Sequence, residues 1–194
     1  MTAMPTLESG RLIVRPFVYS DLESVHQIMN EAFGEVPFQE RKSWLEWGIM
    51  NYTALAQLRQ PSYGDRAIVL KSTDTLVGSV GLVQSYGPFG KLPYFRERSS
   101  EPKSELCTPE MGMLWGVGNQ YRGHGYATEA AQLLIDYMFT SFGLKRIVAT
   151  TDYENENSRA VMRHLGMTVQ RNPDPDPPWF QMVGIRKNPA LKDH

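Results

Sequence analysis

The segment from Glu110 to Thr151 constrains the fold more than any other part of this sequence. An apolar run at residues 110–117 is followed by the glycine-rich turn RGHGYATEA, and a helical pattern then continues to about Phe142. Gly143 is well placed as a left-handed C-cap. The run RIVATT, residues 146–151, is typical of a strand covered on both faces. We therefore predict a strand–helix–strand crossover in the second half of the chain.

The turn RGHGYATEA has the features of an anion site. The first N–H groups of a helix lack partners within it, and the peptide dipoles add partial positive charge at that end. Phosphate groups fit such a place well. Gly123 and Gly125 let the backbone approach a ligand closely because they have no Cβ. The local pattern predicts a phosphate site with Arg122 as a charged supplement, and it fits a plain strand-to-helix turn equally well.

Two motif frames compete for this turn. In the first, Gly123-x-Gly125-x-x-Thr128 is a near match to a dinucleotide loop, and Asp152 ends the next strand where a ribose-binding acid would lie. Thr128 does not fit that motif, because the motif has a third Gly or Ala at this position, which allows the helix to pack closely on the strand. The second frame is Arg122-x-x-Gly125-x-Ala127. A dinucleotide-dependent oxidoreductase therefore stays as an alternative function.

The remaining elements are predicted from hydrophobic period and turn residues. Strands are expected at 11–18, 66–70, 75–83, 167–170 and 179–186, and helices from Ser20 or Asp21, at 41–59 and at 154–166. Residues 61–65 have turn chemistry. Residues 84–109 lack a period and contain several Gly and Pro, which predicts a long loop. In helix 41–59, Trp44, Trp47 and Leu58 are among the residues assigned to a buried face.

Composition narrows the class of protein. A length of 194 residues favours one domain, which we place at residues 7–187 with a polar tail at 188–194. A formal net charge of −1 argues against a nucleic-acid surface. No apolar run is long enough for a membrane span, and no secretory signal is visible. Cys107 is the only cysteine, which favours a cytoplasmic protein. No metal site is expected, and both a monomer and a homodimer are open.

Four stretches carry a family resemblance: ESGRLIVRPFVYSDLESV, PEMGMLWGV, RGHGYATEA and NENSRAVMRHLGM, in this order over residues 7 to about 186. Together they resemble the GCN5-related N-acetyltransferase (GNAT) superfamily, in the style of its RimJ/RimL-like branch of ribosomal-protein N-terminal acetyltransferases. The resemblance implies a mixed α/β, α+β-like fold. Its central twisted sheet would be mostly antiparallel, with one splayed parallel strand pair, and flanked by helices.

The resemblance also implies acetyl-CoA as co-substrate, bound between the splayed strands 110–117 and 146–151. The pyrophosphate would be held by the turn, whose residues are Arg122, Gly123, His124, Gly125, Tyr126, Ala127 and Thr128. The strand edge at Trp115, Gly116 and Val117 would pair with the pantetheine amides. Asn155 would contact the pantetheine arm and Ser158 would assist it, although helix capping is a routine role for both residue types. Only the backbone of His124 is needed, so its side chain is expected to be exposed.

Acetyl transfer needs a neutral amine, and a free amine is mostly protonated at neutral pH. A general base removes that limit. Glu110 is the candidate base because it begins the strand that would carry the thioester; the alternative is an exposed strand-end carboxylate. No general acid is assigned, since Met162 stands where many relatives have Tyr. Tyr153 or Tyr121 would have to substitute, or the thiolate leaves unaided.

The acceptor is expected to be a primary amine, either a protein N-terminus or a small molecule. Its site is placed by position at helix 41–59, loop 84–109 and Trp179. Glu129 in the first helical turn favours the dipole and needs no further role. A non-catalytic acyl-CoA-binding module is the second alternative to an acetyltransferase.

Overall fold

The computed structural model describes residues 4–60, 63–97 and 105–191. The strands of that part of the chain are β1 (Leu7–Glu8), β2 (Leu12–Arg15), β3 (Gly64–Leu70), β4 (Thr75–Gly87), β5 (Thr108–Val117), β6 (Arg146–Thr151), β7 (Thr168–Arg171) and β8 (Met182–Lys187). The α-helices are α1 (Leu22–Phe33), α2 (Phe38–Gln57), α3 (Pro93–Arg96), α4 (Tyr126–Ser141) and α5 (Glu156–His164).

The strands are hydrogen-bonded in the order β1-β2-β3-β4-β5-β6-β8-β7. The pairs β1–β2, β2–β3, β3–β4, β6–β8 and β7–β8 are antiparallel. The pair β5–β6 is parallel, with Gly112 opposite Val148. This mixed, mostly antiparallel sheet with one parallel pair confirms the predicted fold class. The parallel pair arises because α4 carries the chain back between β5 and β6.

The chain divides into two compact units, which we call the first and the second unit. The first unit runs up to Leu82 and includes Leu114–Phe142. In it, α1 and α2 pack on β3 around a core of Phe17, Val25, Ile28, Met29, Leu45, Ala67, Val69 and Leu76. Helix α4 contacts β1 and β2 and buries its alanine-rich face, which includes Ala127, Ala130 and Ala131. Small residues on that face let the helix lie close to the strands.

The second unit comprises Val83–Met113 and the chain from Gly143 onward. Its core contains Phe89, Leu92, Tyr94, Val148, Phe180, Val183 and Ile185. Helix α5 contacts β6, β7 and β8. Gly184 lets it approach the sheet closely, because a Cβ there would lie 3.0 Å from Sδ of Met162 and 2.9 Å from Sδ of Met167. The prediction of a single domain at 7–187 stays a prediction.

The structure corrects several expectations. Strand β4 continues to Gly87, where we predicted a loop, because Val83–Tyr86 alternate between partly buried and exposed positions. Part of the same predicted loop forms α3, and its residues 98–104 lie outside the described residues. Gly64 and Asp65, assigned to a turn, begin β3. The prediction does not include β1, because its two residues are too few to show the alternation of apolar and polar side chains that marks a strand.

Two predictions of burial and one of strand structure are also wrong. Trp47 is 56% exposed and Leu58 is 68% exposed. Leu58 follows the last residue of α2, so it leaves the buried helical face. Trp179 lies in a 3-10 turn at Pro178–Phe180 instead of in the last strand, since prolines lack the N–H groups that a ladder requires. Within the described residues, no helix is long and apolar enough to cross a membrane.

Candidate active site

The glycine turn of the first unit has the geometry of an anion site. Gly123 and Gly125 both have φ of +78°, a region that L side chains rarely adopt. Gly125 is the N-cap of α4, and no side chain caps that end of the helix. The first helical N–H groups, at Tyr126, Ala127 and Thr128, therefore lack a partner within the helix. A Cβ on Gly123 would meet no atom within 4 Å, so the glycines serve the backbone conformation and leave the turn open.

Arg11 also fixes this turn, through contacts that no local sequence pattern predicts. Arg11, on the segment between β1 and β2, donates from Nε to Oε2 of Glu129 at 2.9 Å and from Nη2 to the carbonyl of His124 at 3.1 Å. Its guanidinium lies 4.9 Å from the ring centroid of Tyr126. Ser9 Oγ donates to the other carboxylate oxygen of Glu129 at 2.5 Å. The prediction that Glu129 needs no further role is therefore wrong.

These contacts also set the charge state of Glu129. Burial favours the neutral carboxyl, but the hydrogen bonds from Ser9 and Arg11 and the charge of Arg11 prevail and lower its pKa. Glu129 is thus a stable carboxylate next to the turn and holds Arg11 in position. Because Arg11 also binds the His124 carbonyl, it connects the segment before β2 to the glycine turn.

Arg122 anchors the turn from the other side. It is exposed, and its Nη2 donates to the main-chain carbonyl of Glu31, at the end of α1, at 3.1 Å. The Glu31 carboxylate accepts the N–H of Asn119 at 2.6 Å. This bond, the amide of Gln27 and the charge of Arg122 lower the pKa of Glu31. The predicted role of Arg122 as a phosphate ligand remains a prediction, and its observed contact is structural. His124 is exposed, as predicted.

The strand edge at Trp115, Gly116 and Val117 lies at the end of β5, next to the turn in the chain. Gly116 is buried beneath α1: a Cβ there would lie 2.6 Å from Cε2 of Phe33 and 2.9 Å from Cβ of Ala32. Its carbonyl also lies 2.5 Å from where a Cβ on Gly78 of β4 would be. Close packing therefore requires glycine at positions 78 and 116.

The role of Glu110 as a general base stays a prediction, and the structure gives the surroundings of its side chain. Its side chain is only 8% exposed, so it is not the exposed strand-end carboxylate of the alternative. Arg146, at the start of β6, donates to both carboxylate oxygens, with Nε to Oε2 at 2.8 Å and Nη2 to Oε1. The Arg146 guanidinium also lies 4.8 Å from the ring centroid of Phe95. Glu110 is thus a fixed carboxylate in a two-point ion pair within the second unit.

Helix α5 places the other predicted residues of the second unit. Asn155 is its N-cap, and its Oδ1 accepts the N–H of Ser158 at 3.0 Å. The capping role is therefore observed, while contact of Asn155 and Ser158 with a pantetheine arm stays a prediction. Asp152, the acid of the dinucleotide frame, accepts the N–H of Glu154 at 3.0 Å and so stabilises the turn before α5.

The general acid is absent where the family pattern would place it. Met162 is fully buried in the core of the second unit. The hydroxyl of Tyr153 donates to the carbonyl of Asn172 at 2.5 Å, and the Arg171 guanidinium lies 3.9 Å from its ring centroid. The hydroxyl and the ring of Tyr153 therefore both take part in structural contacts. A leaving thiol with a pKa near 8.5 can depart as the thiolate without a strong acid.

A small pocket lies between α2 and the start of β3 in the first unit. Its walls are rich in aromatic side chains, and it is lined by Phe17, Trp44, Leu45, Trp47, Gly48, Asn51, Tyr52, Tyr63, Gly64 and Asp65. Part of helix 41–59 therefore lines a pocket, although the acceptor site placed there remains a prediction. Over the described ranges, no group of three or more His, Cys, Asp or Glu side chains is arranged to hold a metal ion.

The protein thus combines a mixed α/β sheet with a glycine turn that leads into an uncapped helix start. Comparison with known proteins identifies the family. The model of the acetyltransferase (GNAT) domain matches residues 11–168. The chain belongs to the GNAT acetyltransferase family and is an N-acetyltransferase, which confirms the family resemblance.

Similar proteins agree with this assignment. The N-acetyltransferase YnaD of Bacillus subtilis (strain 168) is 27% identical over 83% of this chain and 81% of its own. Spermidine N(1)-acetyltransferase of Escherichia coli (strain K12) is 28% identical over 86% of this chain and 77% of its own. The solved structure of RimL, the ribosomal L7/L12 alpha-N-protein acetyltransferase in complex with coenzyme A, has a TM-score of 0.62. It is 13% identical over 93% of this chain and 96% of its own, a likeness of fold.

Proposed function

We propose that this chain transfers an acetyl group from acetyl-CoA to a primary amine by direct attack in a ternary complex. The observation that carries the proposal is the uncapped start of α4 behind two glycines with φ of +78°. Free N–H groups and the helix dipole favour a pyrophosphate there. The turn lies at the surface, since Arg122, Gly123, His124 and Gly125 are all exposed.

Acetyl-CoA supplies the activated acyl group, and the chain supplies its orientation. Backbone N–H groups at Gly123–Thr128 would hold the pyrophosphate. The edge of β5 at Trp115–Val117 would bind the pantetheine amides, and one of its N–H groups would stabilise the oxyanion of the thioester carbonyl. Gly116 fits this role because its packing against Phe33 and Ala32 keeps that backbone in place.

Glu110 is proposed as the base that removes a proton from the amine, directly or through one water. The ion pair with Arg146 fixes the direction of its carboxylate, and a fixed carboxylate suits proton transfer at a defined position. The same pair occupies both oxygens, so Arg146 and the amine proton compete for Glu110. Replacing Arg146 therefore tests whether the pair positions the base or removes it from the reaction.

The family and its relatives support two acceptor classes. One relative is named a spermidine N(1)-acetyltransferase, and one protein of the same fold is named a ribosomal L7/L12 alpha-N-protein acetyltransferase. A small polyamine and a protein N-terminus are thus both represented. The fold likeness to RimL supports the RimJ/RimL-like branch.

An amine panel with detection of released thiol tests the function. The panel contains monoamines, polyamines and N-terminal peptides, each with acetyl-CoA, and products are identified by mass. We expect thiol release that depends on both substrates and a product that has gained one acetyl group. Binding of acetyl-CoA without turnover of any amine would favour the non-catalytic module. Binding of NAD(P) in place of acetyl-CoA would favour the dinucleotide enzyme.

A further inference from the structure

The ring of His124 is held in one orientation although the residue is exposed. Its Nδ1 lies 2.9 Å from the carbonyl oxygen of Arg122 and 3.3 Å from that of Tyr121. Carbonyl oxygens only accept hydrogen bonds, so Nδ1 carries a proton and is the donor. Among the described residues, these two carbonyls are the only hydrogen-bond partners of the ring. Nε2 therefore keeps its hydrogen-bonding capacity for a ligand.

The His124 ring also stacks on Tyr126, the first residue of α4. The two ring centroids are 5.4 Å apart, and the ring planes are inclined by 12°. The Arg11 guanidinium lies 4.9 Å from the Tyr126 centroid and donates to the main-chain carbonyl of His124. The ring and the main chain of His124 are thus both fixed. A ligand that binds to Nε2 therefore meets a preorganised group and has little side-chain freedom to restrict.

The charged groups that neighbouring elements place near His124 do not change their charge around neutral pH. On the segment before β2, the hydrogen bond to Glu129 raises the already high pKa of Arg11. On α4, burial opposes the ionisation of Glu129, but the hydrogen bonds from Ser9 and Arg11 prevail and lower its pKa. This pair therefore adds one constant positive and one constant negative charge beside the turn.

Within the turn, the imidazole of His124 is the group whose charge can change. Arg122 keeps its guanidinium proton, and the phenols of Tyr121 and Tyr126 are uncharged around neutral pH. An imidazole, in contrast, ordinarily takes up a second proton at about pH 6.5. Because Nδ1 of His124 already carries a proton, the second proton goes to Nε2. That proton converts Nε2 from an acceptor into a cationic donor, which is the form that an ionised phosphate oxygen prefers.

We propose that the His124 imidazolium binds a phosphate group of acetyl-CoA through Nε2–H, so that binding of the co-substrate takes up a proton. This inference deepens the proposed function and rests on the turn being the phosphate site. His124 directly precedes Gly125, the N-cap of α4, and so adjoins the helix start whose N–H groups lack partners. By linkage, a group that gains a proton in the complex makes binding tighter as the pH falls.

Coenzyme A carries two kinds of phosphate, a pyrophosphate and a 3′-phosphate, and both offer ionised oxygens to Nε2–H. The 3′-phosphate is a monoester and itself gains a proton at about pH 6. Acetyl-dephospho-CoA lacks that group, so its pH dependence reports the protein alone. S-acetylpantetheine lacks both groups and serves as the ligand without phosphate.

Calorimetric titration of these three ligands at pH 6 and pH 8 tests the inference. The proteins are wild type, His124→Asn, His124→Lys and His164→Asn. Asparagine keeps a donor for the carbonyl of Arg122 but has no group in the place of Nε2, whereas lysine supplies a permanent charge. His164→Asn is the matched control, because His164 is an exposed histidine in the last turn of α5. Circular dichroism verifies that each variant is folded.

We expect wild type and His164→Asn to bind acetyl-CoA about three- to tenfold more tightly at pH 6 than at pH 8. Titrations at pH 7 in buffers of different ionisation enthalpy should show net proton uptake. His124→Asn should bind at both pH values as wild type does at pH 8, and His124→Lys should bind tightly at both. S-acetylpantetheine should show no pH dependence. An effect that persists with acetyl-dephospho-CoA identifies the pyrophosphate as the partner, and one that requires the 3′-phosphate identifies that group.

The inference is overturned if His124→Asn keeps the pH dependence of wild type, or if wild type shows no pH dependence and no proton uptake. Turnover of amines is measured separately with the same proteins. If proton uptake depends on His124 but no amine is acetylated, the proposed transfer fails and the inference stands. If amines are acetylated and both His124 variants bind acetyl-CoA like wild type at both pH values, only the inference fails.

Discussion

Asp65→Asn should stabilise the ligand-free fold at neutral pH, because Asp65 opposes folding when it is ionised. Its pKa in the folded chain is about 6, against an ordinary value of 3.8. One pKa unit corresponds to ~1.36 kcal/mol, so ionisation of Asp65 costs the folded state about 3 kcal/mol above pH 6. Asparagine has nearly the same shape, carries no charge, and can still accept the hydrogen bond from Ser79.

The sign of this effect follows from linkage. Because the pKa is raised on folding, the folded chain binds more protons between pH 4 and 6, and stability falls as pH rises through that window. The advantage of Asp65→Asn should therefore shrink from about 3 kcal/mol near pH 7.5 to about 1.5 kcal/mol near pH 5. Arg41, whose charge favours ionised Asp65, and the neutral Tyr52 do not change charge over this range.

Urea unfolding followed by circular dichroism at both pH values measures the difference. Asp136→Asn, on the exposed face of α4, should change the free energy of unfolding little at either pH. If Asp65→Asn is no more stable than wild type at pH 7.5, or its advantage does not depend on pH, ionisation of Asp65 does not oppose folding as its burial implies.

Three further predictions concern the turn and the strands beside it. Arg11→Ala should weaken acetyl-CoA binding several-fold, because it releases His124 and Glu129, and the control Lys42→Ala on α2 should not. Equal affinities of the two variants by calorimetry would show that Arg11 does not support acetyl-CoA binding. Gly116→Ala should cost about 1–3 kcal/mol of stability by overpacking, and an unchanged melting temperature would contradict the close contact with α1. Glu110→Gln should lower kcat about 10²–10⁴-fold and leave the affinity for acetyl-CoA unchanged, and the exposed Glu154→Gln is the control. An unchanged kcat in Glu110→Gln would refute the role of Glu110 as the general base.

The crossover from β5 to β6 was predictable because its signals are local. The glycine turn, the alanine face of α4 and the apolar run RIVATT each predict one element, and their order predicts the parallel pair. The strand predicted at 146–151 agrees with the bounds of β6, Arg146–Thr151. Asn155 was also placed correctly at a helix start, since capping depends on residues only three positions apart.

Long-range partners were not predictable from these patterns. Arg11 and Glu129 meet although 118 positions separate them, and no local motif connects the end of β1 to the start of α4. The same holds for Arg146 and Glu110. The turn residues at 61–65 predict a turn at Asp65, whereas its position in β3 beside α2 depends on how that helix packs. Charge pairs of this kind are set by the fold, and only the fold shows them.

We propose above all that the glycine turn holds the pyrophosphate of acetyl-CoA. Calorimetric titration of acetyl-CoA into wild type, Gly125→Ala and Gly143→Ala tests it most directly. Both glycines have positive φ, +78° at the start of α4 and +61° after its end, so both variants carry similar backbone strain. We predict that Gly125→Ala weakens acetyl-CoA binding about tenfold or more while Gly143→Ala binds like wild type. Equal affinity in Gly125→Ala and Gly143→Ala would contradict the claim.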